Sequence, residues 1–576
     1  MKNQKSIYLT ATHFLKIGCV VVFVLTLNIG FGQDIAAIKK EVPFQIKGNI
    51  SAGMWFYTAN GISNRRQPFS WYLTGSPMLK IYGMTFPFTM TVSEQDRRFS
   101  QPFNRYGVSP YYKWFTLHAG YRNVKFSDFT LAGVTMLGGG FEINPGKLRL
   151  GVMVGQINRP ISEDTLTKDL LGRNIIPTYR RMGYAFKLGF GKQNNFFDLL
   201  FFKGKDDISS IAKPIKNKRI TPADNAVLGV KTRFTIFKGL SFDADVAMSA
   251  FTKNQLASKL DKNSLAELSF LGDGGGLLTI NSTTGLYKAI RSSLTYGFGI
   301  GSVAAQYERI DQDFQSLGSF FFNNDNEQWT LSPSFSVFNN TVTVSGSYGV
   351  AHDNLNSKKY ATTYRAVGAL NLGVQVSEKL NVGINFANFG TNQNRGVGEL
   401  FNDTTAISIV NNSYGINAGY NDTDESRIHS LNFSAGYQDA NDQNKFTRDL
   451  TAVTSLFGNA SYTYSLIENQ ASYTLSVNYN QTQIPNQTIT TLGPVVSFSQ
   501  PFLDKKLRTS LSGTYFLRKN NEVSDGNTTS LTGSVAYTLK KNTLTLSSSF
   551  LNNSSKTQAN NSFNELRTSL AYSHSF

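Results

Sequence analysis

Cysteine is nearly absent from this 576-residue sequence, and so are long apolar runs. The single cysteine, Cys19, lies inside an apolar run at 17–27, so the rest of the chain has no thiol for a disulfide, a metal site or a nucleophile. That run is shorter than the roughly 20 apolar residues of a membrane-spanning helix, and no comparable run follows it. These absences exclude a disulfide-stabilised secreted domain and a helical membrane protein.

Motifs for catalysis and metal binding are absent as well. After residue 32 the sequence has four histidines, none in a His-Glu-x-x-His pattern, and no Gly-x-Ser-x-Gly pattern occurs. The glycine-rich stretch at 272–276 lacks the following Lys-Ser or Lys-Thr of a phosphate-binding loop. We therefore predict no catalytic residue, no metal site, no cofactor and no enzymatic activity.

Basic residues outnumber acidic ones. Lys and Arg together number 56 and Asp and Glu 38, which gives a net charge of +18. The basic residues are spread along the whole sequence without a cluster or a recognised nucleic-acid module, so we exclude nucleic-acid binding.

The N-terminal residues have the pattern of an export signal. Three lysines precede or adjoin the apolar run, and Gly30-Phe31-Gly32 offers the small-x-small sequence that signal peptidase cuts. We predict a cleaved signal peptide at 1–32 and a short periplasmic segment at 33–43. No Pro-rich or Gly/Ser-rich linker interrupts the remainder, which predicts one domain at 44–576.

Alternation of apolar and polar residues dominates that domain. Leu507, Leu511 and Tyr515 fall on one face of a segment while serines and threonines fall on the other, and the same period of two recurs at 472–479 and 531–539. A period of two sustained over about ten residues predicts a β-strand. The fold is therefore predicted to be all-β.

Strand length and connection length select the kind of β protein. The predicted strands run about 10 to 14 residues, longer than the usual 5 to 6 of soluble domains and close to the length that crosses a bilayer at a tilt. Tight connections such as Asn144-Pro145-Gly146 and Lys540-Lys541-Asn542 alternate with long ones such as 159–177 and 253–284. This alternation predicts a single large antiparallel transmembrane β-barrel.

The number of strands follows from counting hairpins back from the C-terminus. We predict about 26 strands, within 24 to 26, when the segment 105–124 is divided at Lys113-Trp114 so that the number is even. The barrel must close, because an unpaired strand edge in lipid would leave backbone groups unsatisfied at several kcal/mol each. The first strand begins near Phe44, so no N-terminal plug domain is predicted.

The C-terminal strand carries a polar residue at Ser569, a small residue at Ala571 and aromatic rings at Tyr572, His574 and Phe576. It resembles the β-signal that the barrel-assembly machinery reads in outer-membrane proteins. The resemblance implies insertion by that machinery into the outer membrane of a Gram-negative cell, among its lipid and lipopolysaccharide. The Asn-rich, basic composition is similar to that of Bacteroidota outer-membrane proteins.

The period of two also assigns charged side chains to the inside of the barrel. They form either a net positive, partly paired ladder that favours anionic solutes or ordinary salt bridges in water that select nothing. The side chains predicted to line the lumen are Arg149, Arg181, Lys187, Lys231, Arg233, Asp243 and Asp245.

A barrel of this size is too wide for its wall side chains to fill. Long loops are the candidates for occluding it, above all 253–284. Another loop carries Phe320, Phe321 and Phe322 among acidic and Asn residues. Because three phenylalanines are costly to leave in water, this loop either folds onto the barrel mouth or docks a partner.

Two functions agree with these features. The first is a loop-gated pore that passes hydrophilic, and by further hypothesis anionic, molecules across the outer membrane. The second is a non-enzymatic scaffold or component of a multi-protein outer-membrane secretion or assembly complex, on which outer-membrane or periplasmic proteins dock. A pore conducts as a purified protein, whereas a scaffold is closed alone and retains defined partners. We favour the pore.

Overall fold

A computed structural model describes residues 43–94, 105–162, 164–168, 174–211, 220–259, 277–319, 322–395, 406–556 and 562–576. These residues form 31 strands and one short helix. Their bounds are β1 (Phe44–Lys47), β2 (Asn49–Asn60), β3 (Phe69–Gly75), β4 (Met78–Ile81), β5 (Met84–Ser93), β6 (Arg105–Val108), β7 (Tyr111–Tyr112), β8 (Phe115–Arg122), β9 (Met136–Ile143), β10 (Leu148–Asn158), β11 (Asp164–Lys168), β12 (Asn174–Ile175), β13 (Arg180–Lys192), β14 (Asn195–Asp207), β15 (Asp224–Phe237), β16 (Leu240–Thr252), β17 (Thr284–Phe298), β18 (Gly301–Ile310), β19 (Asn326–Val337), β20 (Val342–His352), β21 (Ala361–Gln375), β22 (Leu380–Arg395), β23 (Ser408–Thr423), β24 (Arg427–Asp442), α1 (Arg448–Thr451), β25 (Val453–Leu466), β26 (Ser472–Ile484), β27 (Gln487–Phe502), β28 (Leu507–Asn520), β29 (Val523–Leu539), β30 (Asn542–Ser555) and β31 (Phe563–Ser575).

Three crossings of the barrel wall are each built from two short strands, β1 with β2, β3 with β4, and β6 with β7. Gly48 separates β1 from β2 at a φ of 109°, a conformation that glycine adopts without strain. Apart from the small β11–β12 pair, the sheet then consists of 26 antiparallel strands, as predicted. The division at Lys113-Trp114 is confirmed, because β7 ends at Tyr112, β8 begins at Phe115 and Lys113 takes the turn at a φ of 52°.

The first and last crossings pair with each other and close the sheet. β2 runs antiparallel to β31 without a break in register, from Asn49 opposite Ser575 to Asn60 opposite Asn564. The N–H of Phe576 also donates to the Gly48 carbonyl at 2.9 Å. The sheet therefore has no free edge, which is the condition for a β structure to exist in hydrocarbon.

The outer surface of the barrel is apolar. On β28 the side chains of Leu511, Tyr515 and Leu517 are exposed, and the alternate positions from Ser510 to Thr514 carry serine and threonine. The same alternation recurs around the sheet, so an apolar surface faces outward and a more polar one faces inward. Other exposed apolar side chains of this outer surface are Trp71, Leu199, Leu228, Trp329, Leu475 and Leu546.

In the described ranges no helix has the length and hydropathy needed to cross a membrane.

Tight turns lie at one end of the barrel, which we call the turn end, and the long loops lie at the other, the loop end. Lys238-Gly239 and Lys540-Lys541 each join two strands directly, with Gly239 at a φ of 97° and Lys540 at 55°. Two connections at the loop end are also tight, Pro485-Asn486 and Asn521-Glu522. The contrast between the two ends is thus weaker in the C-terminal third than in the rest.

Closure of the barrel can be tested with a disulfide, because the only native cysteine is Cys19. Ser51 and Ser573 face each other across the β2–β31 pair with their Oγ atoms 2.9 Å apart, which suits an S–S bond between cysteines at these positions. We expect the Ser51→Cys/Ser573→Cys variant to oxidise to a linked chain with altered migration on a denaturing gel.

The matched control is Ser51→Cys/Thr543→Cys. Thr543 pairs with Ser573 from the far side, so it lies two strand spacings, about 10 Å, from Ser51. This control should stay unlinked. Equal linking in both variants, or none in either, would contradict closure at this seam.

Candidate transport pathway in the barrel lumen

The inner wall has two sectors of different chemistry. We call the inner face of β8–β18 the charged sector, because its carboxylates and basic side chains pair across strands. We call the inner face of β20–β30 the neutral sector, because its inward positions carry mostly Ser, Thr, Asn and Gly. In each strand the inward set consists of the residues that alternate with the exposed apolar ones.

Two arginines of the charged sector make bidentate ion pairs. Arg149 donates to Asp198 at 2.7 and 2.9 Å, and Arg181 donates to Asp206 at the same two distances. The two carboxylates are almost fully buried, with side-chain exposures of 2% and 3%. Each arginine is therefore held rigidly and its charge is largely compensated.

Lys187 ends a chain of polar contacts toward the turn end. Its Nζ lies 2.5 Å from Glu142, Glu142 lies 3.4 Å from His118 Nε2, and His118 Nδ1 lies 2.8 Å from Ser109 Oγ. Ser109 and His118 are only 5% and 8% exposed. These contacts join a serine, a histidine and a carboxylate. The Ser109 hydroxyl is buried, however, so this geometry does not present a nucleophile to a substrate.

The remaining predicted charges lie on β15 and β16. Arg233 pairs with Asp243 at 2.8 Å, and Lys231 is opposite Asp245 in the strand register. Asp245 accepts hydrogen bonds from Ser127 Oγ at 2.7 Å and from a neighbouring backbone N–H at 3.2 Å, both in the loop 123–135. The effect of these charges on ion selectivity stays a prediction.

The partners of these cations were not among the predicted lumenal residues. Glu142, Asp198 and Asp206 were missed, as was Arg291, which pairs with Glu308 and lies 3.0 Å from Asp128 of the loop 123–135. Extending the period of two to β9, β14 and β18 would have placed the carboxylates inward. Within the described ranges, no cluster of three or more His, Cys, Asp or Glu side chains is suited to hold a metal ion.

Two loops from the loop end, 123–135 and the described part of 311–325, fold into the lumen against the charged sector. Together we call them the two-loop plug. Their apolar side chains form one buried cluster with inward-facing residues of the wall. The loops contribute Val124, Phe126, Phe129, Leu131, Val134 and Phe314, and the wall contributes Met153, Ile157, Ala185, Leu200, Phe202, Val227, Ala247 and Ala289.

Hydrogen bonds join the two loops to each other and to the wall. Ser316 Oγ donates to the Thr130 carbonyl at 2.6 Å, and the Leu317 N–H donates to Asn225 Oδ1 on β15 at 3.0 Å. The plug is thus an ordered part of the barrel with its own polar and apolar contacts. Further bonds run from Ala132 N to Gly318 O, from Ser319 Oγ to Asp128 O and from Ser249 Oγ to Gln315 O.

Phe322 belongs to this plug. The ring centroids of Phe129, Phe314 and Phe322 lie 5.0 to 6.0 Å from one another. Phe320 and Phe321 lie outside the described residues. The Phe322 ring packs against the buried cluster inside the barrel mouth and is partly buried there. Docking of a partner by this loop stays a prediction.

Only the ends of the loop 253–284 are described, and residues 260–276 lie outside the described ranges. The described ends lie against the outer face of the barrel rim, where Leu278 and Ile280 pack on Ala226, Ala250 and Leu286. Occlusion of the lumen by this loop stays a prediction. The described residues that occlude the lumen come from 123–135 and 311–325.

β14 carried the information that could have identified this occlusion. Phe197, Leu199 and Phe201 point outward, yet the inward positions of the same strand hold Leu200 and Phe202, which are 1% and 0% exposed. A strand that is apolar on both faces is covered on its inner face by other parts of the protein, which exclude water. The predictions for such strands used only their outward faces.

The neutral sector is covered with hydroxyl and amide groups. Examples of its cross-strand pairs are Ser497 with Ser512 at 2.8 Å and Asn459 with Asn478 at 2.7 Å. Between the margins of the barrel its described inward positions carry no carboxylate. The cationic side chains described at its inward positions are Arg365, Arg508 and Arg518, and the last pairs with Asp525 near the loop end.

The residues of the C-terminal strand that resemble a β-signal lie at the closure seam. Ser569, Ala571 and His574 pair with Trp55, Gly53 and Ile50 of β2, and Tyr572 points outward. The His574 and Phe576 rings contact each other edge-on, with centroids 4.9 Å apart. Recognition of this strand by an assembly machinery stays a prediction.

No protein-family model and no curated protein matches this chain. Similar solved structures are outer-membrane barrels. The translocation pore of the P pilus usher PapC is 10% identical, with 92% of this chain and 99% of that chain covered and a TM-score of 0.33. Pseudomonas aeruginosa OpdQ is 12% identical (69% and 98% covered, TM-score 0.33), and Acinetobacter baumannii OccAB2 is 10% identical (62% and 92% covered, TM-score 0.31).

The plug is also tied to its neighbouring loop 353–360 by Asp325. The carboxylate accepts hydrogen bonds from the N–H groups of Asn354 and Leu355 at 3.0 and 2.9 Å and pairs with Lys359. Burial acts to raise the pKa of Asp325, but the hydrogen bonds from Lys359 and the two backbone amides outweigh it and lower that pKa below its ordinary value of 3.8. These contacts therefore favour the ionised form of the Asp325 carboxyl.

We expect the contacts between Asp325 and the loop 353–360 to be complete above pH 3.8. They should be lost as the pH falls through the lower pKa that Asp325 has in the folded protein, because protonation removes the acceptor. Hydrogen exchange at the Asn354 and Leu355 amides, corrected for intrinsic rates, would show protection that disappears only in that acid range. The Asp325→Asn variant should lack the protection at every pH. Unchanged protection in that variant would show that other contacts hold the loops.

Proposed function

We propose that this protein is an outer-membrane channel for hydrophilic molecules, gated by the two-loop plug. The observation that carries the proposal is the unequal filling of the lumen. The plug packs on the charged sector, while the hydroxyl and amide groups of the neutral sector line the inner wall beyond it. A polar wall around a wide, closed barrel is a path for water and solutes.

The proposal includes the surroundings of the barrel. The outward apolar surface suits lipid, with lipopolysaccharide at the loop end, and the C-terminal strand suits recognition by barrel-assembly machinery after export with a cleaved signal peptide. Catalysis has no part in this function.

The plug supplies a means of gating. Its loops are held by an apolar cluster and by individual hydrogen bonds, not by strands of the barrel ladder, so they can leave the lumen without opening the sheet. Displacing them exposes apolar surface to water, which favours the seated position. Full opening, beyond the path that the seated plug leaves along the neutral sector, then requires a solute, a partner or a change in conditions that offsets this cost.

Preference for anions is a further part of the proposal. The cations of the charged sector are largely compensated by carboxylates, but Arg365 and Arg508 of the neutral sector form no ion pair among the described residues. An excess of positive charge along the open wall attracts anions. The alternative, in which the inner-wall charges are ordinary salt bridges without selectivity, is favoured only if replacing these two arginines leaves the ion selectivity unchanged.

A scaffold is the second candidate function, and one feature of the turn end favours it. Tyr82, Phe338 and Leu503 stand at turn tips with φ values of 45°, 53° and 52° and exposures of 50%, 77% and 63%. Large apolar residues in left-handed conformations are strained. A periplasmic protein that packs on these tips would bury them. Retention of a defined partner in mild detergent, with no conductance by the purified chain, would favour this function over the channel.

Loosening the plug should open the channel. Phe314 is fully buried in the cluster, so Phe314→Ser is expected to cost the seated position about 3 kcal/mol, which corresponds to about a hundredfold shift toward displaced loops. Single-channel conductance in planar bilayers should rise and its fluctuations increase. The control Phe338→Ser changes an exposed ring at the turn end and should conduct like the unmodified protein. Equal conductance of the unmodified protein, Phe314→Ser and Phe338→Ser would contradict gating by the plug.

Anion preference is measured as a reversal potential across a KCl gradient. We expect a preference for chloride that is reduced in the double variant Arg365→Gln/Arg508→Gln, because this removes the uncompensated wall charge. Lys205→Gln, which changes an outward-facing residue near the rim, is the matched control. A preference for potassium, or no preference, would leave the inner-wall charges as salt bridges without selectivity.

A further inference from the structure

We infer that the neutral sector is a binding surface for an uncharged, polyhydroxylated chain of the oligosaccharide class. The inference rests on the proposed channel function and names the solute that the channel recognises. Three features of the neutral sector support it: a polar concavity, flat aromatic faces, and the absence of charged side chains from the lining of that concavity.

The concavity has a volume of about 410 Å³ and lies in the half of the wall nearer the turn end. Its lining includes the hydroxyls of Thr343 and Ser345 and the amides of Asn371, Asn385 and Asn417. Within the described ranges no side chain is hydrogen-bonded to these three amides, so they are open to the lumen. Each amide donates and accepts, as does each hydroxyl of a sugar.

Glycines shape this part of the wall. Gly373 and Gly383 pair with each other in the register and both line the concavity, where they leave the wall without a side chain. A Cβ on Gly383 would lie 2.6 Å from the side-chain oxygen of Asn417, and one on Gly415 would lie 2.4 Å from that of Asn385. The glycines therefore let the amide groups lie close against the wall beside the concavity.

Aromatic faces lie nearer the loop end of the same sector. The Phe457 ring lies on Gly436, its register partner, so closely that a Cβ on that glycine would be 2.1 Å from the ring. The ring is consequently flat against the wall, and 43% of the residue is exposed. Phe389, also at an inward position, is 39% exposed. A flat ring with an open face can stack on the C–H face of a pyranose.

The lack of charge in the lining of the concavity decides the class of ligand. A charged chain would meet only neutral groups there, with no opposite charge to offset the hydration that it loses on contact. Neutral hydroxyls exchange one hydrogen bond for another at a net gain of only about 1 kcal/mol each. Such contacts are weak enough for release, and passage through a channel requires release at every step.

An extended polypeptide is the main competing ligand. Its backbone also donates and accepts hydrogen bonds, but it has no C–H face to match Phe457 and Phe389, and natural chains carry charges. The observations therefore favour the oligosaccharide, and the peptide is tested as an alternative.

The test uses the purified full-length protein in planar bilayers with maltohexaose as the probe. Polyethylene glycol of matched hydrodynamic size and an uncharged Gly-Ser peptide are added in parallel. We expect maltohexaose to interrupt the current for longer than either control polymer. Phe457→Ala should shorten these interruptions about fivefold, the size of effect expected for one aromatic contact.

Two further variants make the result specific. Asn385→Leu keeps the side-chain size but removes the hydrogen bonds, and it should also shorten the interruptions. Phe433→Ala changes an outward-facing ring of similar exposure, 49%, and should leave them unchanged. Folding of each variant is checked by its heat-dependent migration on a detergent gel.

The outcomes separate the two proposals. If the protein conducts but maltohexaose and polyethylene glycol interrupt it equally, the neutral sector does not recognise sugars and the channel function stands. Longer interruptions by the Gly-Ser peptide, with the same sensitivity to Phe457→Ala, would overturn the inference in favour of a polypeptide. No conductance in any solution would overturn both proposals.

Discussion

The pairing of β2 with β31 is the contact on which the rest of the structure depends. In hydrocarbon every backbone N–H and C=O must be satisfied by the protein, so a sheet survives there only without edges. The register of this pair is continuous from Asn49 opposite Ser575 to Asn60 opposite Asn564. The chain thus brings together two strands more than 500 residues apart in sequence, and each strand between them finds both neighbours.

Closure at this strand number creates a second requirement, since the bore is too wide for wall side chains to meet across it. The described part of the protein fills the bore only on the side of the charged sector. Loops 123–135 and 311–325 pack Phe129 and Phe314 against an inner surface that is locally apolar. Buried ion pairs such as Arg149 with Asp198 stiffen that side of the wall. The other side remains lined with hydroxyls and amides.

This asymmetry links the proposals. A plug held by side-chain packing and individual hydrogen bonds can move while the hydrogen-bonded wall stays intact. A neutral wall of weak donors and acceptors can hold a solute without trapping it. The charged sector then serves chiefly to position the plug, because Asp245 and Arg291 both contact the loop 123–135. Gating and recognition are thereby assigned to different parts of one lumen.

The sequence by itself determined the strands, their faces and their number. Each follows from local rules: a period of two sets the faces, and turn residues such as Lys113 and Lys238-Gly239 set the ends. The same period of two is the basis for predicting seven lumenal charges. The partners of Arg149, Arg181 and Lys187 were accessible to the same rule but required the register of neighbouring strands.

Only the tertiary structure decided which loops enter the lumen and how the inner wall is divided. The loop 123–135 turns inward because apolar inward residues of β14 and β15 lie beneath it, whereas the described ends of the loop 253–284 pack on the outer rim. The Phe457 ring on Gly436 likewise depends on a register between two strands. Such contacts join residues distant along the chain, so no local pattern contains them.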